Sequence, residues 1–187
     1  MNKNIMITHL EEEDIDGRIS LLYEFHVQQN LNHLSMTVDK SKLKDFYSDA
    51  VIEQQDNKRY YVIKTKSQKI IGYCWISDID WINQSCELSI SILPKYRIGF
   101  GFLAMVEMYN YLYNQLNMKS VINQILEGNN LLLKSAPKNA LKRRMDSFTF
   151  GEYRASYLWN QTKEQYLELK RTKKEKLINL KSKFQSV

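Results

Sequence analysis

The run from Cys86 to Leu126 constrains this chain more than any other: an alternating strand, a glycine-punctuated turn, a helix and a second strand, in that order. In CELSISIL the apolar residues Cys86, Leu88, Ile90 and Ile92 share one face, and Glu87, Ser89 and Ser91 share the other. That is the period of two a strand requires. In GFLAMVEMYNYLYNQL, Gly101 to Leu116, the apolar spacing becomes that of a helix, and SVINQIL, Ser120 to Leu126, returns to β-forming residues. Two strands of one sheet joined through a helix run parallel, by a right-handed crossover.

The first half of the chain reads differently. A short strand is predicted over Asn4 to Thr8. LEEEDIDGRISLLYEFHVQQN follows as one helix, with acidic residues in its first turn and Ile15, Ile19, Leu22, Tyr23 and Phe25 as its buried stripe. A second helix is predicted over Ser41 to Gln54, capped by Asp39 or Ser41. Arg59 to Thr65 and Ile70 to Ile79 make a β-hairpin around the Ser67-Gln68-Lys69 turn. After the crossover, Glu127 to Asn130 turns into a short helix that Pro137 should end. Met145 to Phe150 and Tyr153 to Trp159 then form a hairpin around Gly151-Glu152. The fold class is therefore α/β of the α+β type, a mixed central sheet with an antiparallel N-terminal half and one parallel crossover.

With 187 residues, one domain is the simplest organisation: residues 1–161 as the domain and 162–187 as a basic, helical tail. The net charge of +6 belongs to that tail, where eight Lys and Arg from Thr162 onward face three Glu and supply +5. The body is near neutral, which argues against a nucleic-acid-binding face spread over the domain. No apolar run reaches membrane-spanning length, and MNKNIMITHLEEED lacks the apolar core of a signal peptide, so a cytoplasmic protein is expected. Cys74 and Cys86 lie in apolar strands without CxxC spacing and read as reduced core thiols, with a disulfide as the less favoured alternative. His9, His26 and His33 are scattered, and no Cys/His cluster points to a metal.

The chemistry concentrates in PKYRIGFGF. A helix N-terminus carries N–H groups without intrahelical acceptors and so favours an anion. Gly99 and Gly101 let the backbone bend and approach a ligand, and Arg97 adds a cation. These features make either a pyrophosphate cradle or simply a tight turn with a solvated arginine. The P-loop pattern fails, because no GK[ST] follows. The dinucleotide pattern fails for want of a third glycine.

ELSISILPKYRIGFG with its following helix, then SVINQILEGNN, resembles the GCN5-related N-acetyltransferase (GNAT) superfamily over about Ile5 to Trp159. The resemblance implies a strand that splays from its neighbour and pairs with the pantetheine arm of CoA, and a turn that holds the pyrophosphate. The cofactor-binding set it implies is Ser91, Ile92, Leu93, Arg97, Ile98, Gly99, Phe100, Gly101 and Phe102, together with Asn129 in the Glu127-Gly128-Asn129 run. Acetyl-CoA is the implied co-substrate, with no metal. Two positions depart from the family. Tyr96 occupies the Arg/Gln place of Arg/Gln-x-x-Gly-x-Gly/Ala, with Arg97 one step late. Ala136 stands where many members carry a tyrosine that protonates the departing thiolate.

Glu87, the carboxylate on the polar face of the pre-turn strand, is the candidate general base, directly or through water, or else a paired structural carboxylate. Tyr153 or Tyr157 is the candidate acid, with packing as the alternative. His26, His33, Asp78, Asp80 and Trp81 are candidate contacts to the acceptor amine, and surface or turn roles are the alternatives. The function so implied is transfer of acetyl from acetyl-CoA to a primary amine of a small molecule (an amino sugar, amine metabolite or antibiotic) by direct attack in a ternary complex. Protein N-terminal or lysine acetylation is one alternative, and a non-catalytic CoA-binding or tethering module another. A homodimer is a further expectation, and neither membrane nor nucleic acid is an expected partner.

Overall fold

The computed structural model describes residues 5–30, 39–53, 56–97, 99–134, 136–149 and 152–171. Seven strands form one sheet in the order β1-β2-β3-β4-β5-β7-β6. β1 (Ile5–His9), β2 (Arg59–Thr65), β3 (Ile70–Asp80) and β4 (Ser85–Ile92) are successively antiparallel. β5 (Ser120–Leu126) joins β4 in parallel, as the crossover requires, and pairs antiparallel with β7 (Glu152–Thr162). β6 (Leu141–Thr149) lies at the outer edge.

Strand alternation divides the core into two layers. Tyr61 and Ile63 point to the face covered by α4 (Phe100–Asn114), where they meet Cys74, Ile76, Cys86, Met108 and Leu112. Tyr60 and Val62 point the other way. There Ile15, Ile19 and Leu22 of α1 (Ile15–Leu22), Val27 of α2 (Phe25–Gln28) and Tyr47 of α3 (Lys40–Glu53) cover them. Asp39 caps α3, its Oδ1 accepting from the Ser41 N–H at 2.8 Å. Cys74 and Cys86 are free and buried, and burial pushes both thiols up, Cys86 to about 12.

Three stretches differ from the sequence expectation. The single helix over residues 10–30 is broken at Tyr23–Glu24, where Glu24 is extended (φ −68°, ψ 132°). The Gln28 side-chain amide takes the Leu22 carbonyl across the break, and Phe25 turns outward, 66% exposed, instead of joining the buried stripe. β6 starts at Leu141, before its predicted start, where it pairs with β7, and β7 runs on to Thr162, where it pairs with β5. The short helix α5 (Asn130–Leu133) stops before Pro137 is reached.

The start of the basic tail packs on the domain. Residues 163–171 are helical, and Tyr166 is buried against Tyr109 and Tyr113. Its hydroxyl donates to the Val106 carbonyl and to Asn110 Oδ1. Lys163 Nζ donates to the Tyr113 carbonyl at 2.7 Å, close to the C-terminal end of α4, where a cation suits the helix dipole. No helix among the described residues is long and apolar enough to cross a membrane.

Gly72 fixes the approach of β3 to the end of β4. A Cβ there would lie 2.5 Å from the Ser91 carbonyl oxygen and 3.1 Å from Ile92 Cα, both backbone atoms that cannot rotate away. Gly72→Ala is expected to destabilise the fold by ~1–3 kcal/mol, the ordinary cost of overpacking. A thermal melt checks this, and an unchanged melting temperature would mean that β4 is free to move at this point.

Candidate active site

Parallel pairing between β4 and β5 covers only Ser85↔Ser120, Cys86↔Val121 and Glu87↔Ile122. Beyond Glu87 each strand keeps its other neighbour: β4 stays on β3 to Gly72↔Ile92, and β5 stays on β7 to Leu126↔Ser156. The sheet therefore opens into a V whose apex is Glu87. The β5-facing edge of β4 beyond it carries backbone polar groups with no strand opposite, and such groups require partners.

The apex is shaped from the side of β3. Ser77 opposes Glu87 and Asp80 opposes Ser85, so an extra residue bulges between them, and Asp78 takes a left-handed φ of 49°. Bulges re-aim side chains in this way beside functional sites. Burial, and then the charge of Asp78, push the Glu87 carboxyl above the usual carboxylate range, and Lys58 opposes them. A carboxylate of raised proton affinity suits a base that must take a proton from an amine. If Glu87 is that base, the acidic limb of kcat/KM falls above the ordinary carboxylate range. Asp78→Asn removes a raising charge and should move the limb to lower pH. A pH profile that does not shift would mean that another group sets the limb.

At the open end of the V, a 3-10 turn over Pro94–Tyr96 leads to Gly99, which precedes α4 with φ 86°. A Cβ at Gly99 would meet nothing within 4 Å, so the space over the turn is open. The Leu103 N–H donates to the Gly99 carbonyl, and the amides of Phe100 and Gly101 lie ahead of that bond in the first turn of α4. Gly101 lies one turn in, and its Cβ position would be 3.6 Å from Ile92 Cγ1, an ordinary contact. Lys69 and Lys95 bring ammonium groups 5.9 and 5.1 Å from the Tyr96 ring, adding cations beside the turn. Lys69 arrives from the β2–β3 turn, and nothing in its local sequence marks it.

Arg97 is engaged elsewhere. Its Nε donates to the Ile92 carbonyl at 3.1 Å, and its guanidinium forms an ion pair with Glu24 in the break between α1 and α2. The one-step shift from the family pattern thus coincides with a guanidinium that ties the end of β4 to the helical layer. Leu93 is committed too: its N–H donates to the Ile71 carbonyl and its own carbonyl accepts from Tyr96. Ser91 and Ile92 end β4 at the mouth of the V.

A cleft of about 690 Å³ lies beyond the end of β5. His26, Gln29 and Asn30 form one wall, Glu127 to Asn130 another, and Tyr153 with Arg154 a third. The structure thus brings together three predicted site residues: His26, Asn129 and Tyr153. Asn129 also caps α5, its Oδ1 accepting from the Leu132 N–H. Arg154 Nη1 donates to the Gln29 carbonyl at 2.8 Å, so α2 is held on one side by Arg154 and on the other by Arg97. Glu127 pairs with Lys142, which lowers its proton affinity. Tyr157 does not line this cleft, and Lys142 stands over its ring. Ala136, half-buried after α5, presents no hydroxyl.

The β3–β4 hairpin holds the remaining predicted contacts. Asp80 organises the turn by accepting from the Asn83 N–H, the Asn83 side-chain amide and the Ile82 N–H, which keep its carboxyl below the usual range. Trp81 donates from its indole to the Asp56 carbonyl, and the Arg59 guanidinium covers its ring at 5.3 Å. Both side chains thus have partners from the turn and from β2, whereas Asp78 acts on Glu87. His33 and Ile98 lie outside the described residues.

A family model described as an acetyltransferase (GNAT) domain matches residues 4–139. No curated protein sequence matches the chain significantly. Among solved structures, the chain is similar to the spermidine N-acetyltransferase of Vibrio cholerae in complex with CoA and spermine: TM-score 0.78, 17% identity, 89% of this chain and 99% of that one. A chimera of that enzyme with hSSAT gives TM-score 0.77 at 18% identity, covering 88% of this chain and 99% of the other. A dodecameric form of the Vibrio enzyme gives TM-score 0.73 at 17% identity, covering 89% and 98%. The splayed β4–β5 pair, the glycine turn and the domain match agree: the chain belongs to the GNAT acetyltransferase family.

Proposed function

We propose that this protein transfers the acetyl group of acetyl-CoA to a primary amine of a small molecule. The observation that carries the proposal is the V between β4 and β5, with Glu87 at its apex and the Gly99 turn at its mouth. Acetyl-CoA supplies a thioester carbonyl open to nucleophilic attack. The unpartnered edge of β4 offers backbone groups for an extended arm, and the first-turn amides of α4, with Lys69 and Lys95 beside them, suit its phosphates.

Glu87 takes a proton from the attacking amine as the C–N bond forms and the C–S bond breaks. The departing thiolate needs a proton in return. Tyr153 on the cleft wall is the side chain of choice for it, with solvent as the other source. His26, which lines the same cleft, is the side chain this reading gives to contact with the acceptor. Spermidine and spermine enter the set of acceptors to test, because the structural neighbours are spermidine N-acetyltransferases. Amino sugars and other small amines stand beside them. Self-association belongs to the proposal as well, since one neighbour is dodecameric.

A second reading, a CoA-binding module without turnover, is favoured by one observation, the missing hydroxyl at Ala136. Thermal melting with acetyl-CoA tests what the two readings share. The melting temperature should rise with ligand concentration, as any ligand that binds the native state requires. No rise at saturating acetyl-CoA would overturn both.

A further inference from the structure

Arg18 of α1 is 2% exposed, yet no carboxylate among the described residues pairs with it. Its guanidinium lies 4.7, 4.7 and 4.6 Å from the ring centroids of Tyr47, Tyr60 and Trp75. Nη2 donates to the Tyr47 hydroxyl at 3.4 Å, and Nε and Nη1 have no acceptor. The buried Asp14, one helical turn away, faces Lys64 instead, at 3.7 Å. Ring faces attract the cation but give its in-plane N–H groups nothing to donate to. A guanidinium keeps its charge when buried, so two charged donors are left facing no partner, an arrangement that folding alone disfavours.

The position of this charge gives it a use. Trp75 opposes Ser89 across β3 and β4, and Ser77 opposes Glu87. Alternation puts Trp75, Ser77, Glu87 and Ser89 on one face of the sheet, the face that α1 covers. Ser89 follows Glu87 by one same-face repeat, about 7 Å along the strand, and β3 lies about 5 Å to the side. The caged guanidinium therefore lies on the Glu87 face of the sheet, over Trp75, which is the direct neighbour of Ser89 on the polar strip of β4.

We propose that Arg18 is an anchor for a carboxylate on the acceptor, so that the preferred substrates are amines carrying a carboxylate several bonds from the nitrogen. This rests on the acetyltransferase reading for the role of Glu87, but not for the binding of the carboxylate. The aromatic cage holds the guanidinium in place, and its two unpartnered nitrogens, Nε and Nη1, offer charged N–H donors to a carboxylate.

The test uses matched pairs of acceptors that differ only in the carboxylate: β-alanine with ethylamine, γ-aminobutyrate with propylamine, and lysine with cadaverine. Acetyl transfer and acceptor binding by calorimetry are both measured, on the wild type, Arg18→Met and Arg18→Lys. In the wild type, at least one carboxylated member should exceed its partner tenfold or more in kcat/KM and in affinity. Arg18→Met fills the cage without charge and should erase that preference through KM, while the protein melts no lower than the wild type. Arg18→Lys keeps the charge but loses the planar set of donors, and should retain part of the preference. If no amine is acetylated but carboxylates bind the wild type and not Arg18→Met, the anchor stands and the acetyltransferase reading falls. If amines are acetylated with no carboxylate preference, or the preference survives Arg18→Met, the anchor is overturned and Arg18 is a packing residue.

Discussion

Glu87→Gln should slow acetyl transfer by about a hundredfold or more while acetyl-CoA still raises the melting temperature. The amide keeps the shape and part of the hydrogen bonding of the carboxylate but cannot take a proton from the amine. Stability offers a second readout of opposite sign. Burial and Asp78 raise the proton affinity of Glu87 in the folded state. A carboxyl raised by folding contributes its stability below the unfolded value, and that contribution is lost as pH rises through the folded value. Above the folded value the ionised Glu87 therefore weakens the fold, and there the neutral amide should melt no lower than the wild type. A variant that loses turnover and keeps its melting temperature marks a catalytic carboxylate. Unchanged turnover, or a steep loss of stability, would make Glu87 a structural group.

Gly99→Glu should abolish the acetyl-CoA-induced rise in melting temperature. Two effects act together. At φ 86° a side chain is strained, at roughly 1–2 kcal/mol, which Gly99→Ala alone should reveal as a modest loss of stability. The glutamate then places a carboxylate at the N-terminus of α4, where it competes with phosphate for the same amides and partial positive charge. Gly101→Ala is the matched control. Its Cβ has ordinary room beside Ile92 Cγ1, and the residue sits in regular helix, so both fold and acetyl-CoA response should persist. A full acetyl-CoA response in Gly99→Glu would place the phosphates somewhere other than this turn.

The parts of the site that lie in one stretch of chain were legible in the sequence. The polar face of β4, the glycine turn and the crossover to β5 each depend on local period or turn chemistry, and the structure places all three as read. Glu87 stood out because it is the single carboxylate on that polar face. What depended on contacts between distant segments was not legible. The break at Glu24 follows from the Gln28 side chain and from Arg97, which lies 73 residues away. Asp78 reads as a turn residue and becomes the neighbour of Glu87 through a bulge that alternation alone does not announce. Lys69 joins the turn from another hairpin. Arg18 reads as an ordinary helical arginine, and its cage comes from α3, β2 and β3. Phe25 kept helical spacing yet lost its place in the core once the helix broke. Periodicity located the strand that carries the chemistry, and tertiary packing decided what surrounds it.

The central claim, that the V between β4 and β5 holds acetyl-CoA for attack by an amine, is tested most directly by thiol release. The protein is incubated with acetyl-CoA and a panel of amino sugars, polyamines, amino acids and simple amines, and free CoA is followed with a thiol reagent. The account predicts release above the acetyl-CoA-only rate with at least one primary amine, matched by acetylated product in equal amount. A protein whose melting temperature rises with acetyl-CoA, yet which releases no thiol with any member of the panel, would contradict it and leave a CoA-binding module in its place.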